Sequence, residues 1–80
     1  MYGLVVDYYV ADPDGIKDYI TVPHYCGLTC PPYNIYVFDE QHNDRSLRWK
    51  TKEKGMEYLE KHNRIFNESI CFENARIEEI

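Results

Sequence analysis

Apolar residues alternate with other residues from the first positions of the chain. In residues 2–10, Leu4, Val6 and Tyr8 share one face of an extended segment, and this face is almost entirely apolar. We therefore predict a strand that lays this face on the hydrophobic core. Tyr8 and Tyr9 are adjacent, so they are expected to point to opposite faces of the sheet.

A turn is predicted at residues 12–15, where the sequence Asp-Pro-Asp-Gly combines a preset proline φ with a glycine that permits a left-handed exit. A helical turn that starts at Asp12 is the alternative, because proline suits a first helical position. Residues 16–22 are predicted to return as a second strand, and because Asp18 interrupts its apolar face we expect this strand to be short or at an edge of the sheet. Residues 23–32, PHYCGLTCPP, contain three prolines and a glycine and are predicted to form a loop.

The second half of the chain carries two more strand patterns, a helix and a closing strand. Residues 33–38 are rich in aromatic and β-branched residues, and residues 45–49 form a short fourth strand. Thr51 is a suitable N-cap for a helix over residues 52–62, which consists mainly of good helix formers. Residues 75–80 are predicted as the last strand, with a start near Ile70 as the alternative.

These elements predict an α+β domain that spans residues 1–80. Its antiparallel sheet has four to five strands, in the order β-β-β-β-α-β, and one helix packs on one face of this sheet. Gly55 is expected to allow close packing of the helix on the sheet, and Asn63 is expected to end the helix in a left-handed conformation. The predicted core consists of Val6, Ile35, Val37, Leu47, Met56, Leu59 and Ile77.

The composition indicates a globular chain with an uneven charge distribution. The chain has 80 residues, a net charge of −5 and 44% hydrophobic residues. Seven acidic residues face one basic residue in residues 1–44, whereas seven basic residues face three acidic ones in residues 45–64. The acidic total argues against general affinity for nucleic acid. The sequence has neither an apolar run that could span a membrane nor a secretory signal, so we expect a cytoplasmic protein without membrane contact.

The most distinctive stretch of the predicted loop is a cysteine–histidine motif. His24, Cys26 and Cys30 could ligate zinc together with Cys71 or His42, since thiolate and imidazole are good zinc ligands. The spacing lacks the paired C-x₂-C motifs of common zinc modules, so we favour simple packing of the thiols, and no cofactor or metal is expected. A Cys26–Cys30 disulfide is a further alternative. A Cys26 nucleophile activated by His24 is another, but no orienting residue is evident and we expect no enzymatic activity.

Tyrosines and acidic residues form the leading set of candidate binding residues. Tyrosine is a frequent hot-spot residue at protein interfaces, and acidic groups can orient a basic partner. Asp7 and Asp18 lie inside predicted strands, where the usual preference of aspartate for turns does not explain them. The sequence therefore predicts a protein-binding surface that consists of Tyr9, Tyr25, Tyr33, Asp14, Asp39 and Glu40.

The basic middle of the chain supports an alternative site. Arg48, Lys52 and Lys54 surround Trp49 near the predicted start of the helix, where a small molecule, a nucleotide or a nucleic acid could bind. Trp49 is in phase with Leu47, however, and we expect both side chains to face the core.

The order of strands, a polar hairpin and the segment WKTKEKGMEYLEKHN before a closing strand resembles small orphan proteins that phages and prophages encode. Members of this class often act as stoichiometric inhibitors of host or defence proteins, including CRISPR effectors. The resemblance implies a non-enzymatic inhibitor or adaptor whose partner is a host or defence protein. It assigns no role to any particular residue.

Overall fold

The computed structural model describes residues 1–28 and 36–80, and it confirms the predicted α+β class. No helix in these ranges is long and apolar enough to cross a lipid bilayer. A second, short helix follows the predicted one. In chain order, the elements are β1 (Tyr2–Ala11), β2 (Tyr19–Leu28), β3 (Tyr36–Asp39), β4 (Arg48–Trp49), α1 (Lys52–Lys61), α2 (Asn63–Asn67) and β5 (Phe72–Glu79).

Strand β1 organises the sheet, because it pairs antiparallel with β2, β4 and β5, while β3 pairs with β2. The segment around β4 lies between the diverging ends of β1 and β2. Gly3 pairs with Arg48 on one side, and Gly27 forms a bridge with Ser46 on the other. This segment approaches β2 so closely that a Cβ atom on Gly27 would lie 2.6 Å from the Arg45 carbonyl oxygen. Glycine is therefore required at position 27.

The turn between β1 and β2 forms as predicted. The Gly15 N–H donates to the Asp12 carbonyl oxygen at 3.1 Å, and Gly15 has a φ of 69°. The Asp12 carboxylate accepts bonds from the backbone N–H groups of Lys17, Asp14 and Ile16, which together hold the pKa of this carboxyl below its ordinary value. Because these bonds keep residues 16–18 in the turn, β2 begins at Tyr19, and the predicted strand start at residue 16 is wrong.

Strand β2 also extends through residues that the sequence predicted as a loop. It continues to Leu28, and Pro23 lies inside it, opposite Asp7 of β1. Among the described residues, β3 pairs with β2 only from Tyr25 to Leu28. Pro23 thus lies where β2 has no β3 neighbour, and a proline without an N–H is tolerated at such an edge position. The predicted loop over residues 23–32 is therefore wrong for residues 23–28, and its remainder lies outside the described residues.

The last strand begins earlier than residue 75, because Phe72 is buried opposite Tyr8 of β1. A register shift follows between Val5 and Asp7, where β5 accommodates Asn74 with a φ of 55°. Asparagine tolerates this left-handed conformation better than most residues. The Asn74 side chain also donates to the Asp7 carboxylate at 3.1 Å, which ties the irregular part of β5 to the central strand.

Helix α1 packs on β1, β4 and β5, and Gly55 is its point of close approach to β4 and β5. A Cβ atom at position 55 would lie 2.9 Å from Ile77 and 3.1 Å from Trp49, which confirms the predicted close approach. Thr51 caps the helix as predicted, and its hydroxyl accepts from the Lys54 N–H at 3.3 Å. Asn63 was predicted to end the helix, but α1 already ends at Lys61. His62 separates the two helices, and Asn63 is the first residue of α2.

The core lies between the sheet and the two helices. Trp49, Leu47 and Leu59 are partly buried against it, as predicted for their phase. Met56 was predicted to be core but is 48% exposed, and Val37 is only partly buried. Ile35 lies outside the described residues. The buried members of the core cluster are Leu4, Val6, Cys26, Phe66, Phe72 and Ile77.

Candidate functional site

The sheet has a second face that neither helix covers. Side chains alternate along β1, so Leu4, Val6 and Tyr8 point to the core while their neighbours point the other way. Residues paired directly across antiparallel strands share a face, which extends this assignment to β2, β3 and β5. We call this surface the helix-free face; among its members are Val5, Asp7, Tyr9, Tyr19, Thr21, Tyr25, Asp39 and Arg76.

One end of the helix-free face carries exposed apolar side chains. The rings of Tyr9 and Tyr19 meet edge to face with their centroids 5.0 Å apart. Tyr19 is 57% exposed, and Ile70, which lines the same open cavity of about 680 Å³, is 92% exposed. We call Tyr9, Tyr19 and Ile70 the tyrosine patch. Large apolar side chains that are exposed together are typical of interaction surfaces.

Acidic groups border the tyrosine patch. Asp18 lines the same cavity, and Asp14 lies in the adjacent turn and is exposed. Partial burial, followed by the nearby Glu73 carboxylate, raises the pKa of Tyr9 above its ordinary value. An apolar centre with a charged border is the usual anatomy of a protein interface.

Asp7 occupies the middle of the helix-free face and has a structural role there. Its carboxylate accepts from the Arg76 guanidinium at 3.0 Å, and Arg76 also contacts Glu78 at 3.1 Å. Asp18 precedes β2 and lies in the turn. Both aspartates that the predicted strands left unexplained thus have ordinary structural positions, so neither requires a binding role.

The other end of the helix-free face combines Tyr25 with the loop after β3. Tyr25 pairs with Asp39, whose carboxylate accepts from the Asn43 side chain at 2.9 Å. The Tyr25 ring meets the His42 ring edge to face, with the ring centroids 5.4 Å apart. Glu40 follows Asp39 and is exposed. We call Tyr25, Asp39 and His42 the loop patch.

The structure brings some of the predicted binding residues together and separates others. Tyr9, Tyr25 and Asp39 share the helix-free face, with Asp14 and Glu40 in the loops at its two ends. The tyrosine patch and the loop patch are about 13 Å apart, since four residues of β1 separate their register positions. Tyr33 lies outside the described residues.

Sequence reasoning missed Tyr19 and Ile70 as members of the site. The turn predicted over residues 12–15 alone would have paired Ala11 with Ile16. Tyr19 lies opposite Ala11 because the Asp12 carboxylate keeps residues 16–18 in the turn, and the sequence pattern did not indicate this. Ile70 precedes β5 and has no periodic signal, so only the fold places it beside Tyr9.

The alternative basic residues face different parts of the molecule. Arg48 lines an open cavity of about 460 Å³ together with Tyr25 and His42 of the loop patch. Lys52 lines a groove along the outer side of α1, and Lys54 forms an exposed ion pair with Glu57 at 3.9 Å. These three cations therefore do not converge on one ligand position.

His24 and Cys26 lie in β2 with their side chains towards the core. His24 Nδ1 is 2.7 Å from the Val22 carbonyl oxygen, and its ring is 5.0 Å from the Tyr8 ring. Burial raises the pKa of the Cys26 thiol to about 12, which opposes formation of a nucleophilic thiolate. Cys30 lies outside the described residues. Across residues 1–28 and 36–80, no three His, Cys, Asp or Glu side chains are grouped closely enough to hold a metal ion.

A chain of polar groups links α1 to β3 beneath the helix. The Tyr58 hydroxyl donates to the Tyr36 hydroxyl at 3.2 Å, and the latter lies 3.3 Å from His62 Nδ1. Burial, followed by the bond to Tyr36, raises the pKa of Tyr58 above its ordinary value. These contacts satisfy partly buried hydroxyl groups, so we assign these three side chains a structural role.

The helix-free face therefore offers the combination of exposed aromatic side chains and acidic borders that the sequence predicted in part. No protein-family model, curated protein or solved structure matches the chain.

Proposed function

We propose that this protein is a non-enzymatic binding protein whose helix-free face engages another protein. The observation that carries the proposal is the tyrosine patch, where Tyr9, Tyr19 and Ile70 stand together at the surface beside acidic groups. Burying such side chains against a partner gains free energy from the removal of apolar area from water. Tyrosine adds a hydroxyl that can bond across a wet interface.

The charges of the same face favour a partner with a basic surface. Asp14 and Asp18 flank the tyrosine patch, and Glu40 follows the loop patch. Charges at the rim of an interface mainly increase the rate of association and exclude partners of like charge. A host or defence protein that binds nucleic acid has a basic surface, and the acidic border of the helix-free face would suit such a partner. The likeness to phage and prophage proteins favours an inhibitor or adaptor of such a protein.

Affinity capture from a bacterial host lysate, followed by mass spectrometry, tests this proposal when variants are captured in parallel. Wild-type protein and a Tyr19→Ala/Ile70→Ser variant are immobilised at equal density, and both are first checked for an unchanged circular dichroism spectrum. The proposal predicts at least one host protein that the wild type retains and the variant loses. A variant of the exposed Lys50, Lys50→Ala, is the control and should retain that protein.

Two results would contradict the proposal. One is a set of retained proteins that is identical for the wild type and the tyrosine-patch variant. The other is a specific ligand that is lost on substitution of Arg48 or Lys52 but not of Tyr19, which would assign binding to the basic residues.

A further inference from the structure

A second surface lies on the opposite side of the molecule, along the outside of α1 and beside α2. Its centre is Met56, which is 48% exposed although it lies in the middle of a helix. Met56 and the partly buried Leu59 form the apolar floor of an open groove of about 760 Å³. We call this the α1–α2 groove; its other lining residues are Lys52, Glu53, Glu57, Glu60, Asn63 and Asn67.

The acidic residues of the groove follow one line on α1. Glu53, Glu57 and Glu60 are spaced i, i+4 and i+7, which places them on one stripe of the helix over a length of about 10 Å. Met56 and Leu59 are spaced i, i+3 and form a second stripe beside it. The groove thus presents an apolar line and an acidic line side by side.

The carboxylates remain available to an outside cation. The contact between Glu57 and Lys54 measures 3.9 Å, and both side chains are more than two-thirds exposed, so solvent screens this ion pair strongly. Lys52 is the one basic residue that lines the groove, against three glutamates. The groove is therefore complementary in charge to a basic ligand.

We propose that the α1–α2 groove binds a short, basic, amphipathic helix of a partner protein. Apolar side chains of that helix lie over Met56 and Leu59, and its Lys or Arg residues pair with Glu53, Glu57 and Glu60. A helix in a groove is a common mode of peptide recognition, and methionine adapts its shape to different apolar side chains. This surface is separate from the helix-free face, so the protein has two independent binding surfaces and can act as an adaptor.

A direct titration with a model peptide tests the inference. The probe is a fluorescent helical peptide of Leu and Lys, about 15 residues long so that it can form a helix, whose leucines occupy one face. A peptide of the same composition with its order scrambled is the control for charge alone. We expect the amphipathic peptide to bind the wild type at least tenfold more tightly than the scrambled one in fluorescence anisotropy.

Variants assign the binding to the groove. Met56→Gln keeps the length of the side chain but removes its apolar end, and it should weaken binding about tenfold. Glu53→Gln/Glu57→Gln/Glu60→Gln should weaken binding further and remove most of its salt dependence. The matched control for the acids is Glu79→Gln on β5, and the control for an exposed apolar side chain outside both surfaces is Ile16→Gln. Neither control should change peptide affinity.

The inference is overturned if the peptide does not bind at concentrations up to about 1 mM, or if both peptides bind equally. Equal affinity for the wild type and Met56→Gln also overturns it. So does a dimer that sedimentation detects in the wild type and not in Met56→Gln, because a second copy would then occupy the groove. The groove and the tyrosine patch share no residue, so failure of the groove leaves the proposed function untouched.

Discussion

The ring of Tyr9 meets the ring of Tyr19 at an angle of 72°, on the face of the sheet opposite the helices. The two residues are diagonal neighbours on β1 and β2, since Tyr9 pairs with Thr21 and Tyr19 pairs with Ala11. Edge-to-face pairs bring the positive rim of one ring to the negative face of the other. The strand pairing therefore holds two tyrosines in a fixed arrangement while Tyr19 remains accessible to a partner.

This contact predicts a measurable coupling between the two side chains. Tyr9→Ala and Tyr19→Ala should each lower the free energy of unfolding, and the double variant should lose less than the sum of the two by about 0.5–1 kcal/mol. Urea unfolding of the four proteins in a double-mutant cycle measures the coupling. Strict additivity would show that the rings do not interact in solution.

Gly27 should be intolerant of a side chain. Alanine at this position would place its Cβ 2.6 Å from the Arg45 backbone oxygen, so the segment before β4 would have to move away from β2. We expect Gly27→Ala to cost about 1–3 kcal/mol of the free energy of unfolding. Thr21→Ala, at an exposed position of the same strand, is the control and should remain within about 0.5 kcal/mol of the wild type. Equal stability of both variants would contradict the position of residues 45–46.

The two described cysteines should differ in reactivity. Cys26 is completely buried, and burial raises its pKa to about 12, whereas Cys71 is exposed. In a Cys30→Ser background, one thiol should react with a disulfide reagent at pH 8, and the second should react only when urea unfolds the protein. Because its raised pKa keeps the Cys26 thiol protonated, an increase in pH to just below 9 should not make this thiol reactive in the folded protein. Rapid reaction of two thiols in the folded state would refute the burial of Cys26.

Truncation of Phe66 should test the core. Phe66 of α2 is 1% exposed and packs on Tyr36 and Phe72, so Phe66→Ala should cost about 3–5 kcal/mol and unfold much of a domain this small. Met56→Ala should stay within about 0.5 kcal/mol, because that side chain is largely outside the core. Thermal unfolding followed by circular dichroism distinguishes the two. Similar melting temperatures for these variants would mean that α2 does not close the core.

The sequence predicted the parts of the fold whose local pattern and tertiary environment agree. The alternation in β1 is confirmed because Leu4 and Val6 are buried in the core and Tyr8 packs against it, and the cap at Thr51 is confirmed because its bond is local. Pro23 misled the prediction because proline excludes a strand only where a neighbour needs its N–H, and the pairing of β3 with β2 does not extend to Pro23.

The helix shows the limit of a periodic pattern. Gly55 and Met56 are adjacent, and apolar spacing alone favoured Met56 as the contact with the sheet. The approach predicted at Gly55 is confirmed, because a Cβ atom there would lie 2.9 Å from Ile77 and 3.1 Å from Trp49, but the prediction that Met56 also faces the sheet is wrong. With Gly55 facing the sheet, the next residue, Met56, lies away from the sheet and is 48% exposed. The binding residues were predicted only in part because Ile70 comes to line the same cavity as Tyr9 through the pairing of β5 with β1, two strands distant in sequence.

The central claim is that the helix-free face binds a protein, and the dissociation rate of a captured partner tests it most directly. In surface plasmon resonance, Tyr19→Ala or Tyr9→Ala should speed dissociation by about tenfold for each 1.4 kcal/mol lost. Neutralisation of Asp14, Asp39 and Glu40 together should mainly slow association, and high salt should mimic that effect. The account is contradicted if none of these substitutions changes either rate while substitution of Arg48 or Lys52 abolishes binding.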